Sequence, residues 1–160
     1  MNIRHATSAD VAAISAVEVE CFPAAEAATE KSFADRVQHY GNHFWLMLDG
    51  DQLACFVNGM TTDEPDLTDE MFENAALHNE DGAWQMIFGV ATMPSYRKRG
   101  YAGQLLQCAI DDARDHGRKG LVLTCKDKLV AYYAKFGFED EGMSESEHGN
   151  VAWHQMRLTF

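Results

Sequence analysis

A short basic turn constrains this 160-residue chain more than any other feature. Residues 96–103 read YRKRGYAG, and they lie between an apolar run, Met86 to Met93, and an amphipathic run, Ala102 to Ala113. The first run favours a strand and the second a helix. The N–H groups that begin a helix have no intrahelical partner, and the helix dipole adds positive character there. In a chain with a formal net charge of −12, three consecutive cations at such a turn indicate a site for a phosphorylated ligand.

Bulk properties limit the class of protein. The length predicts a single domain, residues 1–160, with a sizeable core. The net charge argues against non-specific nucleic-acid binding and fits a small cationic substrate, although many proteins are acidic for solubility alone. No apolar run approaches the roughly 20 residues of a membrane span, and the N-terminus lacks the apolar region of a secretion signal. We therefore predict no membrane association and a cytoplasmic location, and we leave the oligomeric state open, with a homodimer as one option.

Cysteine and histidine usage gives no sign of a metal site. The four cysteines are well separated, each in an apolar context, which favours buried thiols in a reducing compartment. The seven histidines show no spacing such as HExxH. We predict that the protein binds no metal.

Hydrophobic periodicity predicts a mixed α/β fold with one chain-wide domain. The predicted elements are a strand at 2–7, a helix from 8–10 to Pro23, a helix at 29–40, strands at 43–48 and 53–59 around a hairpin turn, a short helix within 67–77, a strand at 84–93, a helix at 102–113, a strand at 121–125, a short helix after 127 and a closing strand at 151–160. This order predicts a mixed sheet with helices on both faces. Charge is uneven along the chain, because residues 1–81 hold 16 acids and 3 Lys or Arg, and the remainder holds 9 and 10.

The turn contains a known pattern. Arg97-x-x-Gly100-x-Ala102 resembles the Arg/Gln-x-x-Gly-x-Gly/Ala motif of the GCN5-related N-acetyltransferases, the GNAT superfamily, and YYAKFGF at 132–138 resembles a second element of that family. The resemblance implies the GNAT fold, a central and mostly antiparallel sheet with one parallel, splayed strand pair. Two alternatives are a solvated basic turn and a dinucleotide-binding turn, of which the second fits less well because G-x-G-x-x-G is absent.

The resemblance implies acetyl-coenzyme A (acetyl-CoA) as cofactor. In the family the N–H groups of this turn bind the pyrophosphate. Gly100 permits close approach of the backbone, small Ala102 leaves room for a phosphate, and Lys98 or Arg99 can add charge-assisted contacts. On the preceding strand, Val90 or Ala91 supplies the N–H that polarises the thioester carbonyl, and the strand pairs with the pantetheine arm. The implied cofactor-binding residues are Val90, Ala91, Arg97, Lys98, Arg99, Gly100, Tyr101, Ala102 and Gly103.

Three further segments resemble the arylalkylamine (serotonin) N-acetyltransferase branch. They read ECFP at 20–23, LTDE at 67–70 and LTCKDKLVAYY at 123–133. The branch implies direct attack of a small primary amine on acetyl-CoA in a ternary complex. Tyr133 matches the family tyrosine that protonates the leaving thiolate, and a phenol, with a reference pKa of about 10, is protonated at neutral pH. The alternative is that Tyr133 only packs, as its neighbour Tyr132 can.

The general base is where the chain departs from vertebrate members of that branch. They carry two histidines on the strand before the motif, and here those positions are Met86 and Phe88, which cannot accept a proton. Glu26 matches the glutamate that insect members use after the first helix, and its Ala and Pro neighbours favour partial desolvation, which raises a carboxyl pKa. The alternative is an acid at the N-terminus of the second helix.

The remaining candidates concern the acceptor. Residues 61–81 form an acidic insertion that is either a solvated loop or an attractor of cationic amines. Aromatic and apolar side chains form either an aryl pocket or part of the core: Phe22, Phe56, Met60, Met71, Phe72 and Trp84. His78 either approaches the site or, as favoured, lies in a solvated loop, and His148 and His154 either line the amine pocket or face solvent. Cys125 could carry a covalent acetyl group, but core packing is favoured because no neighbouring histidine would activate its thiol.

We therefore predict an acetyl-CoA-dependent N-acetyltransferase acting on a primary amine, with a small arylalkylamine favoured. The rival acceptors are a polyamine, an aminoglycoside or a protein amino group. The rival of a different class is an acetyl-CoA-binding module without turnover, which the loss of the histidine pair keeps open.

Overall fold

The computed structural model describes residues 1–144 and 152–160, which form two compact units. In chain order the elements are β1 (Asn2–Arg4), α1 (Val11–Cys21), α2 (Glu30–Tyr40), β2 (Phe44–Asp49), β3 (Gln52–Asn58), β4 (Thr61–Thr62), α3 (Asp69–Glu73), β5 (Trp84–Ile87), β6 (Gly89–Thr92), α4 (Tyr101–Asp115), β7 (Gly120–Cys125), α5 (Val130–Ala134), β8 (Glu139–Met143) and β9 (His154–Thr159). The first unit comprises Met1–Gly59 and Gly89–Ala109, and the second comprises Met60–Phe88 and Ile110–Phe160.

The first unit is built on an antiparallel sheet with the strand order β1-β2-β3-β6. Residues 44–47 of β2 and 54–57 of β3 are all buried, as expected for strands that are apolar along their length and covered on both faces. Phe33 of α2 packs on this sheet, with its ring centre 6.3 Å from that of Phe44 and 5.8 Å from that of Phe56. Ile14 of α1 is fully buried as well.

The second unit is built on a sheet with the strand order β4-β5-β7-β9-β8. β5 and β7 run parallel, and the other neighbouring pairs are antiparallel. Residues 121–123 of β7 are buried, and so are Ile110 and Ala113 on the second half of α4. This unit therefore supplies the parallel strand pair that the sequence predicts.

The apolar run from Trp84 to Met93, predicted as one strand, forms two strands in different sheets. The parallel ladder between β5 and β7 ends at the pair Ile87↔Leu123. Phe88 then separates β5 from β6, which pairs with β3 instead. Hydrophobic periodicity cannot show this break, because apolar residues continue through it and only the hydrogen-bond partners change.

Other boundaries also differ from the prediction. β8 was not predicted, because its sequence EDEGM has no apolar alternation. The closing strand begins at His154, whereas the predicted start at Val151 lies outside the described residues. The insertion contains α3 and a following 3-10 turn at Ala75–Leu77 where one short helix was expected. No helix in the described ranges is long and apolar enough to cross a membrane.

Candidate functional site

The basic turn joins β6 to α4 in the first unit. The backbone is left-handed at Lys98, with φ 64°, and at Gly100, with φ 80°, and α4 begins at Tyr101. Residues 97–100 are exposed. A Cβ built on Gly100 would meet nothing within 4 Å, so glycine is favoured there for its conformation and the space beside it is open. Left-handed residues at a helix start can direct successive N–H groups to one side, which makes a concave anion site.

The carbonyl of Thr92, at the end of β6, anchors this turn. It accepts a hydrogen bond from Nε of Arg97 at 3.0 Å and a second from Sγ of Cys21 at 3.2 Å. The hydroxyl of Thr92 lies 3.2 Å from Sγ of Cys55 on β3. Arg97 therefore fixes the strand-to-turn connection, and the end of α1 contacts the same point.

Tyr96 holds the turn to the β2–β3 hairpin. Its hydroxyl donates to the carboxylate of Asp49, at the β2–β3 hairpin, over 2.9 Å, and this hydrogen bond raises the pKa of Tyr96. The guanidinium of Arg99 lies 5.8 Å from the centre of the Tyr96 ring, within the range of a cation–π contact. The turn is thus held to two strands of its own unit.

β6 is the last strand of its sheet, and its pairing distinguishes Val90 from Ala91. The N–H of Met93 donates to the carbonyl of Ala54 at 2.9 Å. Hydrogen-bonded and non-hydrogen-bonded pairs alternate along an antiparallel ladder, so the N–H of Ala91, opposite Phe56, points toward β3. The N–H of Val90 points away from β3, toward the edge of β6 that pairs with no other strand in the described residues, here called the open edge.

Glu26 lies in a tight turn after α1, and its side chain is only 8 % exposed. The main-chain N–H groups of Glu26 and Ala27 donate to the carbonyl of Pro23 at 2.8 and 3.0 Å. The carboxylate of Glu18 accepts the N–H of Ala28 at 2.9 Å and closes the loop. A buried carboxylate is uncommon, so this position is distinctive.

The alternative role for Glu26, an acid at the start of the second helix, does not match the structure. α2 begins at Glu30, and Thr29 is its N-cap, with a hydroxyl that accepts the N–H of Ser32 at 3.1 Å. Glu26 therefore precedes the cap by three residues and is not itself part of the first turn of α2.

Tyr133 lies on α5 in the second unit and is 7 % exposed. Its ring packs edge-on against Tyr132, with centres 5.1 Å apart, and against Phe138, with centres 6.2 Å apart. The aromatic neighbours fix the orientation of the ring and leave the role of the phenol to be tested.

The acidic insertion is closed by specific contacts. His78, predicted to be solvated, has only 7 % of its side chain exposed. Its Nδ1 accepts the N–H of Thr61 at 3.1 Å, so the proton is on Nε2, which lies 3.0 Å from the Glu80 carboxylate. Arg118 donates to the carbonyls of Glu80 and Gly82 at 3.0 and 2.6 Å. Gly82 is required at this closure, because a Cβ would overlap the backbone of Thr62.

The predicted apolar pocket residues separate into two groups, of which three are buried in the core and three are half-buried, namely Phe22, Phe72 and Trp84. Phe56, Met60 and Met71 are buried core residues. Trp84 lies under the guanidinium of Arg157, which is 4.6 Å from the ring centre. Half-buried Phe72, on α3, packs against half-buried Phe88 with ring centres 4.6 Å apart and ring planes tilted by 37°. Phe88, which stands where a base was sought, thus belongs to an aromatic pair.

The remaining candidates of the second unit lie at the start of β9. His148 lies outside the described residues. His154 is bracketed by two carboxylates, those of Asp127 and Asp140, each 3.2 Å from a ring nitrogen. Cys125 is buried, and burial, together with these two carboxylates, raises its pKa to about 11. Core packing, predicted for Cys125, is therefore confirmed. His154 is half-buried rather than turned to solvent, and its place in an amine pocket stays a prediction.

Comparison with protein-family models shows which family the chain belongs to. The model of the acetyltransferase (GNAT) family matches residues 11–138, a range that includes the basic turn and Tyr133. The chain belongs to the acetyltransferase (GNAT) family. This membership confirms the predicted superfamily, the mixed α/β GNAT fold and the enzyme class of acetyltransferase, for which acetyl-CoA is the implied donor.

Solved structures share the fold at low sequence identity. The GphF GNAT-like decarboxylase in complex with isobutyryl-CoA has a TM-score of 0.84 and 20 % identity, with 99 % of each chain covered. The loading GNATL domain of CurA from Lyngbya majuscula also has a TM-score of 0.84, at 14 % identity, with 99 % of this chain and 96 % of that chain covered. The ribosomal-protein-S18-alanine N-acetyltransferase from Escherichia coli has a TM-score of 0.73 and 19 % identity, with 99 % and 92 % covered.

Some of the predicted site residues lie together in the first unit. Val90, Ala91 and residues 97–103 lie on one continuous strand–turn–helix segment, and Thr92 links that segment to the end of α1, shortly before Glu26. Tyr133 belongs to the other unit. Sequence reasoning missed Asp49, Thr92 and Cys21 as anchors of the turn, because nothing in their local sequence indicates these long-range hydrogen bonds.

Proposed function

We propose that this acetyltransferase transfers the acetyl group of acetyl-CoA to a primary amine, with a small arylalkylamine as the preferred acceptor. The observation that carries the proposal is the exposed turn at 97–100, with left-handed Lys98 and Gly100 and the start of α4 beside it. Two side chains carry the proton transfers in this proposal, Glu26 and Tyr133. Residues 1–160 act as one cytoplasmic N-acetyltransferase domain, which the family match across parts of both units supports.

The donor fits the residues of the first unit. The N–H groups of residues 98–103 would hold the pyrophosphate, and Lys98 and Arg99 supply positive charge. The open edge of β6 can pair with an extended amide-containing arm, as edge strands do with peptides. When bound, acetyl-CoA supplies a thioester as the activated acyl group.

The N–H of Val90 has the better geometry for polarising the thioester carbonyl. It points to the open edge of β6, whereas the N–H of Ala91 points toward β3. A preorganised N–H aimed at a developing oxyanion stabilises the transition state. We therefore assign this role to Val90.

Glu26 is proposed to accept the proton of the attacking amine. Its carboxylate is buried in the loop between two anchors, the contact of Cys21 with Thr92 and the contact of Glu18 with Ala28. An amine must lose a proton to attack, and a positioned carboxylate is a suitable acceptor. Met86 and Phe88 offer no alternative base on the strand.

Tyr133 is proposed to donate a proton to the leaving thiolate. Its hydroxyl is on a side chain that Phe138 and Tyr132 hold in place. The proton that Tyr133 gives up is regained from solvent or product after release of the thiol. A substrate that arrives as an ammonium loses two protons in all. Glu26 accepts the first and releases it to solvent, and the second, lost from nitrogen after attack, offsets the proton that Tyr133 delivers to sulfur.

The aromatic preference rests on Phe72 and Phe88. Both rings of this pair are half-buried, so an aromatic surface of the second unit remains accessible, and an aryl group can pack on such a surface. The insertion that carries Phe72 holds eight acids and no Lys or Arg, which would attract a cationic amine. The two features favour an acceptor with an aryl group and an amine.

A protein amino group is the second candidate acceptor. The observation in its favour is the shared fold with a ribosomal-protein-S18-alanine N-acetyltransferase. A decarboxylase shares the fold as well, so a reaction at the acyl group itself is included in the test.

The experiment is a steady-state screen with acetyl-CoA, measuring release of coenzyme A thiol. The acceptors are tryptamine, phenylethylamine, spermidine, a lysine peptide and a peptide with a free N-terminal alanine. We expect the wild-type protein to turn over tryptamine and phenylethylamine. In the Phe72→Leu variant, we expect the KM for these two amines to rise and the KM for spermidine to stay unchanged. Turnover with spermidine or a peptide alone contradicts the arylalkylamine proposal. Stoichiometric acetyl-CoA binding without thiol release indicates a binding module, and carbon dioxide release from a carboxylated acyl-CoA indicates a decarboxylase.

A further inference from the structure

The segment that carries Tyr133 contacts, at its N-terminal end, the residues at the start of β9. A 3-10 turn, Asp127–Leu129, continues directly into α5. The ammonium of Lys126, just before this turn, lies 6.0 Å from the centre of the Trp153 ring. The carboxylate of Asp127 lies 3.2 Å from Nε2 of His154. Two consecutive residues of one segment therefore contact two consecutive residues of the other.

His154 is itself held from the opposite side. Its Nδ1 lies 3.2 Å from both carboxylate oxygens of Asp140 on β8. The N–H of Gly142 and the imidazole of His154 keep the pKa of Asp140 below its usual value. Cys125 is the residue paired with His154 across β7 and β9. An imidazole with a carboxylate at each nitrogen donates to both only as the imidazolium.

We infer that His154 is a positioning residue for Tyr133, acting through Asp127 at the start of the α5 segment. The inference rests on the proton-donor role proposed above for Tyr133. α5 has only five residues, too few for a helix to be stable by itself. Its orientation therefore depends on contacts with its surroundings, among them Asp127 with His154 before its start and Tyr133 with Phe138 near its end.

Loss of the Asp127 contact lowers kcat rather than affinity for acetyl-CoA. A displacement of a catalytic group by about 1 Å can cost up to about 10²-fold in rate. The proposed donor-binding turn belongs to the first unit and does not include any residue of this contact. A kcat decrease with an unchanged KM for acetyl-CoA is the signature of the positioning role.

Three substitutions of His154 separate its two contacts. The amide nitrogen of glutamine extends about as far as Nε2, and that of asparagine about as far as Nδ1. His154→Gln therefore keeps the contact to Asp127, whereas His154→Asn keeps only the contact to Asp140 and His154→Ala keeps neither. We expect kcat within about twofold of wild type for His154→Gln and about fivefold lower for the other two. Equal losses in all three variants overturn the inference.

Asp127→Ala tests the contact between Asp127 and His154 from its other side. Because Asp127 is exposed, we expect this variant to fold normally. Asp127 has a side chain that is 92 % exposed. We expect the same roughly fivefold loss of kcat as in His154→Ala. His116→Gln is the matched control, since the ring of this exposed histidine, just after α4, makes a local hydrogen bond to the carbonyl of Asp112. No change in kcat for Asp127→Ala contradicts the inference.

A double-mutant cycle separates this inference from the proposed function. In the Tyr133→Phe background the phenol is absent, so His154→Asn is expected to have no further effect on kcat. A full fivefold loss in that background overturns the positioning role and leaves the role of Tyr133 intact. If Tyr133→Phe alone leaves kcat unchanged, the proton-donor role fails, and the inference fails with it.

Discussion

Arg97 donates a hydrogen bond from Nε to the main-chain carbonyl of Thr92 at 3.0 Å, which ties the basic turn to the end of β6. The side-chain nitrogen of glutamine is the same number of bonds from Cα as Nε of arginine, whereas the lysine nitrogen is one bond further. We therefore expect the hydrogen bond of Arg97 to the backbone, which glutamine could also make, to matter more at this position than the charge.

Substitutions of Arg97 test this explanation. We expect Arg97→Gln to keep the dissociation constant of coenzyme A within about twofold, and Arg97→Ala to raise it about fivefold, because one well-placed hydrogen bond contributes about 1 kcal/mol. Arg97→Lys should resemble Arg97→Ala although it retains the charge. Isothermal titration with coenzyme A measures the effect, with exposed Arg114→Gln as control. A lysine variant that binds better than the glutamine variant would show that the charge of Arg97 matters more than its hydrogen bond.

Gly100 should be required for both conformation and binding. With φ at 80°, an alanine there costs about 1 kcal/mol of unfolding free energy. Gly117, at φ 71° with equally open surroundings, should show the same cost on substitution. Urea unfolding of Gly100→Ala and Gly117→Ala measures the stability, and a rise in the KM for acetyl-CoA is expected for the first alone. An unchanged KM in Gly100→Ala would contradict the assignment of the turn.

Tyr133→Phe should lower kcat about 10²-fold, the usual range for loss of a general acid. The phenyl ring keeps its packing against Phe138, so the thermal unfolding temperature should stay the same. The matched control is Tyr132→Phe, one residue earlier on the same helix, which should retain wild-type kcat. Steady-state thiol release measures both variants, and equal effects in the two would refute a specific role for Tyr133.

Glu26→Gln should lower kcat/KM for the amine by about 10²-fold while leaving acetyl-CoA binding unchanged. The amide preserves the volume of the buried side chain and removes the proton acceptor. Exposed Glu30→Gln, in the first turn of α2, is the control. The difference in kcat/KM between wild type and Glu26→Gln should shrink as the pH rises toward the pKa of the amine, because more of the substrate is then neutral. A Glu26→Gln variant with wild-type kcat/KM at pH 7 would require another base.

Cys125 should take no covalent part in transfer. Its pKa of about 11 leaves roughly one thiol in a thousand ionised at pH 8, and ionisation rises only as the pH approaches 11. We expect slow alkylation of Cys125 in the native protein at pH 8 and fast alkylation in urea, measured by mass spectrometry of peptides. Cys125→Ala should retain kcat, and an acetylated Cys125 trapped during turnover would contradict direct transfer.

Part of the site was accessible from sequence because the relevant physics is local. The turn at 96–103 requires a strand, left-handed backbone and a helix start within one short stretch, and each leaves a sequence signature. Gly100 was identified as a candidate site residue from that stretch, and Tyr133 from the YYAKFGF element. Their roles remain predictions, and the experiments above address them.

Other features lay beyond sequence reasoning because they depend on residues far apart in the chain. The break at Phe88 is a change of hydrogen-bond partner inside a continuous apolar run. Burial of His78 depends on Thr61 and Glu80, and the geometry of His154 depends on Asp127 and Asp140. No periodicity or composition encodes which distant donor meets which acceptor.

The sequence by itself determined the class of fold, the position of the basic turn and the family to which the chain belongs, since apolar periodicity and local backbone preferences are properties of neighbouring residues. Only the tertiary structure decided that Arg97 binds the carbonyl of Thr92, that the N–H of Val90 rather than that of Ala91 is directed to the open edge, and that Glu26 is buried. These outcomes depend on strand register and on packing, and both are settled by the free energy of the whole fold rather than by any one segment.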